Sequence, residues 1–249
     1  MNLGVEIAVR KHKTIYREGD RTIKLFDENY SKADILNEAL NLARVEETPL
    51  LVPNLLEVGI HDGKWAIVTR FIEGVTLQSL MDEHPEKIDE YIDMFVDLQM
   101  NVHLQRCPGL KKIKDKFASK IAESSLDGNI KWELSMRLEG MPTKNRLCHG
   151  DFSPGNIIIT ERGEPYIIDW AHATQGNASA DVARSYLLFK LKGNDETAEK
   201  YFNLYCQKSG RDKRYVQKWL PIVAASQSVK NKPEEQEFLA KWANVVWYE

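Results

Sequence analysis

The hydrophobic pattern of this chain changes period once, near Glu73-Gly74, and that change limits the fold more than any other feature. Before it, short runs carry the alternation and apolar content of half-buried strands: Val5 to Val9, Thr14 to Tyr16, Arg21 to Phe26, Leu55 to Gly59 and Trp65 to Phe71. Glu18-Gly19-Asp20 and His61-Asp62-Gly63 read as hairpin turns between neighbouring runs. One helix is expected after the third run, where Ala33, Leu36, Ala39, Leu40 and Ala43 recur at helical spacing behind Ser31 as N-cap. After the change the helical period takes over, from Thr76 as an N-cap through Ile88, Ile92, Phe95, Val96, Gln99 and Val102. Further helices are expected around Ile113 and Phe117, Ile130 and Leu134, and Val182 and Tyr186, and in a tail through Phe238, Trp242 and Val246. Strands first and helices after define an α+β chain, which divides into residues 1–73 and 74–249.

The helical half has one interruption. Leu147-Cys148-His149, Ile157-Ile158-Ile159 and Tyr166-Ile167-Ile168 read as short strands, and the turn Glu161 to Pro165 joins the last two into a hairpin set among helices. This interruption carries His149-Gly150-Asp151-Phe152-Ser153-Pro154-Gly155-Asn156, with Asp169 thirteen residues beyond Asn156. Phosphoryl transfer from Mg-ATP needs a carboxylate that orients an attacking hydroxyl and accepts its proton. It also needs an Asn and a second carboxylate on the metal, and a cation on the phosphates. Asp151 suits the first role, while Asn156 and Asp169 suit the metal, since the loop between Asp151 and Asn156 can turn both toward one cavity.

These residues resemble the protein-kinase-like superfamily and, within it, the aminoglycoside phosphotransferase and choline kinase family, whose signature is His-Gly-Asp with an Asn five residues after the Asp. His149, Gly150, Asp151 and Asn156 match in register, Asp169-Trp170-Ala171 stands where the family has its Asp-Phe-Gly equivalent, and Ala180-Asp181-Val182-Ala183-Arg184 is similar to the following helix. The resemblance runs from Thr14 to Leu191. It implies a two-lobed protein-kinase-like fold: an N-terminal five-stranded antiparallel sheet with one helix, then a mainly helical lobe with an embedded β-hairpin. It also implies that Lys24 contacts the α- and β-phosphates and that Glu38 pairs with it, Glu46 and Glu47 being the alternatives. The backbone of Thr69, Arg70, Phe71 and Ile72 would bind adenine. His149 and Ser153 would support the catalytic loop and Asp181 would hold it by hydrogen bonds. His103 reads as a packed or capping residue; His172, three residues after Asp169, stands where a side chain could face the acceptor, but the sequence weighs against that role. The phosphate-covering turn has only Gly19 in place of a glycine series, so the cofactors implied are Mg2+ and ATP, with GTP left open.

Composition narrows the partners. With 34 Lys+Arg against 37 Asp+Glu, the chain has no basic field for nucleic acid. No run approaches the roughly 18–20 apolar residues of a membrane span, and Met1 to Lys13 lacks a secretory core, so the expected location is cytoplasmic. Three widely spaced cysteines imply neither a disulfide framework nor a structural metal. The basic run Lys111 to Lys116 reads as a solvated helix face, and Trp132, Trp219, Trp242 and Trp247 as packing of the helical half. Eleven residues between Asp169 and Asp181, with no Ala-Pro-Glu after them, leave little room for a peptide-docking segment, which favours a small-molecule hydroxyl acceptor. From Glu73 onward, 26 Asp+Glu face 24 Lys+Arg, a poor match to a polycationic aminoglycoside unless Glu234, Glu235 and Glu237 act locally. A sugar or amino alcohol is equally admissible. The rival readings are a nucleotide-binding pseudokinase that regulates a partner, which the intact Asp151, Asn156 and Asp169 oppose, and an atypical protein kinase. Oligomeric state is left open.

Overall fold

The computed structural model describes residues 3–244, so Val246 and Trp247 of the expected tail lie outside the described residues. In chain order the first elements are β1 (Val5–Arg10), β2 (Lys13–Glu18), β3 (Arg21–Phe26), α1 (Lys32–Val45), β4 (Leu55–His61), β5 (Lys64–Arg70), β6 (Val75–Thr76) and α2 (Leu77–Glu83). There follow α3 (Ile88–Leu104), α4 (Ile113–Glu123), α5 (Gly128–Gly140), β7 (Arg146–Cys148), β8 (Ile157–Ile159), β9 (Pro165–Ile167) and β10 (Thr174–Gly176). The chain continues with α6 (Ala178–Leu191), α7 (Asp195–Ser209), α8 (Lys213–Gln217), α9 (Leu220–Ser228) and α10 (Pro233–Ala243). Two compact units emerge, Met1–His84 with Pro154–His172, and Pro85–Ser153 with Ala173–Glu249. The division thus falls after His84, and the β8–β9 hairpin belongs to the first unit. No described helix is long and apolar enough to cross a membrane.

In the first unit, five antiparallel strands form a sheet in the order β1-β2-β3-β5-β4. Asp62 (φ 48°) and Gly63 (φ 80°) make the tight turn between β4 and β5, the left-handed backbone that an Asp-Gly pair accepts at little cost. Alternation sorts the side chains of the central strands: Ile23 and Leu25 pack with Ala66 and Val68, whereas Phe26 packs with Ile67, Ile35 and Ala39 of the layer that includes α1. Ser31 caps α1 by accepting from the Asp34 amide. The buried stripe of α1 is Ile35, Glu38, Ala39, Asn41, Leu42 and Val45, while Leu36 and Leu40 are exposed. The stripe expected from Leu36 and Leu40 is therefore displaced, because two polar residues occupy the inward face.

A second, three-stranded sheet of this unit has the order β6-β8-β9. Gly74 lies against it so closely that an added Cβ would stand 2.3 Å from the Ile159 carbonyl oxygen. Gly74→Ala is expected to destabilise the fold by about 1–3 kcal/mol through overpacking against backbone, read as a lowered melting temperature. Thr76 caps α2 as expected, accepting from the Ser79 amide. The helical run does not continue to Val102, however: α2 ends at Glu83, and Pro85, which lacks an amide proton, begins a separate turn before α3.

In the second unit α6 is buried along most of its length, and α9, apolar from Leu220 to Ala225, is buried at every position but Ser226. The strand β7 pairs with β10, not with the Ile-rich hairpin. Phe95 of α3 touches Phe152, Phe189 and Tyr201, with ring centroids 4.7, 5.6 and 5.3 Å apart, and this aromatic cluster anchors the segment after Asp151. Two surface expectations are corrected. Trp219 is fully buried and Trp242 stacks on Phe238, but Trp132 is 66% exposed, since its side of α5 faces solvent. The basic run is only partly solvated: Lys114 donates to the carbonyls of Glu139 and Met141 at 2.8 and 2.9 Å, and Lys116 is half-buried.

Candidate active site

The first unit encloses a cavity of about 360 Å3. Its apolar walls include Ile15, Leu42, Ile67, Ile158 and Ile168, one edge is the run Thr69, Arg70, Phe71 and Ile72, and its polar end holds Lys13, Lys24, Glu38, Asn156 and Asp169. The edge is held rigidly. Thr69 pairs with Leu55 and Thr22 across the sheet, Phe71 donates its amide to the Asp20 carbonyl at 2.7 Å, and the Arg17 guanidinium lies 4.0 Å over the Phe71 ring. Arg70 closes an ion pair with Asp20.

Lys24 lies on central strand β3, opposite Ile15 and Ile67, and its ammonium bonds Glu38 of α1 directly. The same ammonium stands 3.4 Å from Asp169 Oδ1, while Lys13 Nζ lies 3.5 Å from Oδ2. Burial by itself would lower the Lys24 pKa, but the facing charges of Asp169 and Glu38 outweigh it and raise the value. The alternatives to Glu38 are engaged elsewhere or not drawn in: Glu46 accepts from the Leu55 amide at 2.6 Å, and Glu47 does not line the cavity. Asp169 adopts the left-handed backbone, φ 62°, which Asp tolerates better than most residues. Asn41 steadies the turn beyond it by donating to the carbonyls of Trp170 and Ala171. Lys24→Met should lose about 3–5 kcal/mol, because Glu38 would remain buried and unpaired, and Lys24→Met with Glu38→Gln should recover much of that loss in denaturant unfolding. Lys13 and Asn41 were not identified from the sequence; each acts through residues remote in the chain, and only the fold brings them in.

The second unit holds the loop that carries Asp151. Asp181, in the first turn of α6 and fully buried, accepts from the amides of His149 and Gly150 at 3.0 and 2.7 Å and from His103 Nε2 at 3.1 Å. His103 in turn bonds the Tyr205 hydroxyl at 2.7 Å through Nδ1. Burial alone would raise the Asp181 pKa, but its hydrogen bonds and the neighbouring imidazoles hold it below the usual carboxylate range. Gly150 has φ 80°, which suits glycine at this turn. His149 is fully buried and its Nδ1 accepts from the Asp151 amide at 3.2 Å. The Phe152 carbonyl accepts from Ser185 Oγ at 2.8 Å. The loop is thus clamped on both sides of Asp151, whose carboxylate stays partly exposed.

Asp151 Oδ1 lies 3.2 Å from Arg184 NH2 of α6, and Arg184 also donates to Gln227 Oε1 at 2.6 Å. Neither Arg184 nor Gln227 was singled out in the sequence as part of the site. Asp151 and Ser153 line a second cavity, of about 600 Å3, within this unit. His172 is exposed and lines neither cavity.

Comparison with known proteins bears on this arrangement. A profile described as the phosphotransferase enzyme family matches residues 10–219. The chain belongs to that family, the aminoglycoside phosphotransferase and choline kinase group expected from its motifs. Among curated sequences nothing matches. Among solved structures, a thermostable mutant of aminoglycoside phosphotransferase APH(4)-Ia, in ternary complex with AMP-PNP and hygromycin B, is similar at 17% identity over 96% of this chain and 90% of that one, with a TM-score of 0.69. The choline kinase LicA from Streptococcus pneumoniae is similar at 14% identity over 93% of this chain and 85% of that one, with a TM-score of 0.62. A GDP complex of a point mutant of aminoglycoside 2'-phosphotransferase-IIIa is similar at 16% identity over 95% of this chain and 87% of that one, with a TM-score of 0.61. The fold is therefore the α+β protein-kinase-like fold that the motifs imply.

Proposed function

We propose that this protein is an ATP- and Mg2+-dependent phosphotransferase that moves the γ-phosphoryl group to a hydroxyl of a small molecule. The observation that carries this reading is Lys24, set in the wall of the first unit's cavity between Glu38 and Asp169. An ammonium fixed by two carboxylates is a rigid partner for a phosphate chain. The apolar walls and the backbone edge at Thr69 to Ile72 suit a planar base. Asn156 and Asp169 line the same cavity and offer the hard oxygen donors that Mg2+ takes, so these two would hold it. When bound, Mg2+ supplies neutralisation of the charge on the β- and γ-phosphate oxygens.

In the transfer, the acceptor oxygen attacks the γ-phosphorus and forms the new O–P bond. The bond from that phosphorus to the β–γ bridging oxygen breaks, its electron pair leaves with ADP, and the hydroxyl proton passes to the Asp151 carboxylate. The loop clamp keeps Asp151 in position for this role. A small acceptor is favoured over a protein because the eleven residues between Asp169 and Asp181 are taken up by the Trp170–His172 turn, β10 and the start of α6. A pseudokinase would bind nucleotide without turnover.

Three results test the proposal. MgATP should yield ADP when the right acceptor is present, EDTA should abolish that release, and Lys24→Met with Glu38→Gln should lower kcat/KM for ATP by on the order of 10²-fold. Competition by MgGTP, measured in the same assay, decides the nucleotide. Tight MgATP binding with no turnover on any acceptor would favour the regulatory reading.

A further inference from the structure

The cavity beside Asp151 carries charges that a cationic acceptor would not choose. Its lining includes Lys190, Lys192, Lys230 and Lys232 against Asp151, Glu234 and Glu235, and of these lysines Lys190 is held by Asp195 and Glu199 at 3.0 Å each, outside the cavity lining. Two of the three carboxylates are already engaged: Asp151 by Arg184 at 3.2 Å, and Glu235 by Lys232 at 2.8 Å and by the Gln227 amide at 2.6 Å. The Glu235 carboxyl, named above with Glu234 and Glu237 as a local anion for a polycation, is thereby spent within the protein. Arg184, Gln227, Glu235 and Lys232 form one hydrogen-bonded line, its last three members in the cavity wall, that fixes a guanidinium next to Asp151.

Further cations gather around that guanidinium. Lys230, which follows α9, feels Arg184 first among its charged neighbours, ahead of Asp151, Lys232 and Glu235. Lys116 of α4 likewise feels Arg184 ahead of Asp181 and Asp151. Lys230 is exposed at the cavity and Lys116 is half-buried; crowding by the surrounding protein, reinforced by repulsion from Arg184, lowers both lysines to about 8. Cations so arranged are relieved by a bound anion and opposed by another cation.

We infer that the acceptor is an anion, a small hydroxyl compound that also bears a carboxylate or phosphate group, and that Lys230 recognises that group in the cavity beside Asp151. The inference rests on the phosphotransferase reading and adds the class of substrate to it. The apolar side chains Leu188, Leu191 and Phe238 in the same lining would cover the carbon skeleton. The bond changes are those already given; the second, anionic group of the acceptor takes no part in them.

The test uses the full chain and matched probes: glycerate, glycerol phosphate, glycerol and ethanolamine, and gluconate, glucose phosphate, glucose and glucosamine. ADP release with MgATP and calorimetric binding are both measured, on the wild type and on Lys230→Gln. An anionic member should give the highest kcat/KM within its set, by about tenfold or more over its neutral and cationic counterparts. Lys230→Gln should raise the KM of that anionic member about tenfold while the KM for ATP moves less than about twofold. Carboxylate and phosphate members tell the two anion sources apart. Turnover that prefers a neutral or cationic member would overturn the inference and leave the phosphotransferase reading standing. A Lys230→Gln effect confined to the KM of ATP would also overturn it, by assigning the charge to the nucleotide. Lys230-dependent binding of an anionic member without turnover would support the anion site while the phosphotransferase reading failed. Neither binding nor turnover with any member would overturn both.

Discussion

Asp151→Asn is expected to lower kcat by about 10²–10⁴-fold, the range for loss of a positioned general base, with the KM values for nucleotide and acceptor little changed. The substitution keeps the shape of the side chain, and the loop around it is held by other groups. Asp181 binds the two preceding amides, His149 Nδ1 accepts from the residue's own amide, and Phe152 is buried against Phe95. The ion pair with Arg184 weakens, and Arg184 retains Gln227. Stability should accordingly change by no more than about 1 kcal/mol, because the pair is partly exposed. A loss in kcat below about tenfold would remove Asp151 from the reaction.

Asp181→Ala is expected to have the largest effect on stability, about 3–5 kcal/mol, because it strands a buried imidazole and two loop amides that now share one carboxylate. For a chain of this length that is a fall in Tm on the order of 10 °C. Asp181→Asn keeps the volume and some of the hydrogen bonds, and should fall between the two. A pH series separates the charge from the shape. The folded protein holds the Asp181 pKa below its ordinary value, so its contribution is complete above about pH 4–5. That contribution is lost as pH falls through the lowered folded value. The stability gap between wild type and Asp181→Asn should therefore narrow in acid. A gap that stays constant down to unfolding, or an Asp181→Ala loss under about 1 kcal/mol, would contradict the clamp.

Local chemistry was legible where a residue acts on its own neighbourhood. Ser31 and Thr76 cap the helices that follow them, and Asp62-Gly63 turns the β4–β5 hairpin, because each needs only residues within three positions. The inward face of α1 departs from the expected apolar stripe because its polar residues have partners remote in the chain. Glu38 and Asn41 occupy it, one bonded to Lys24 and the other to carbonyls beyond Asp169, so an apolar stripe points to Leu36 and Leu40 on the outside. The strands β6 and β10 are two and three residues long and find their partners far away, at β8 and β7, which no periodicity reveals. The pairing of Lys24 with Glu38 is present in the structure. Lys13, Arg184, Gln227 and Lys230 had no such signal, because a basic or amide residue on a helix or strand looks the same whether it meets solvent or a carboxylate from another element. Charge counted over the whole helical half gives near neutrality and hides the local gathering of cations around Arg184.

The most direct measurement is the fate of radiolabel from γ-labelled ATP incubated with Mg2+, the full chain and a protein-free extract of small metabolites, with the products separated into nucleotide, inorganic phosphate, small-molecule ester and protein. Label should accumulate in a small-molecule ester with wild-type protein, fall by at least about 10²-fold with Asp151→Asn, and vanish with EDTA. Label in protein, or none outside nucleotide and phosphate while MgATP is bound, would contradict phosphoryl transfer to a small-molecule hydroxyl.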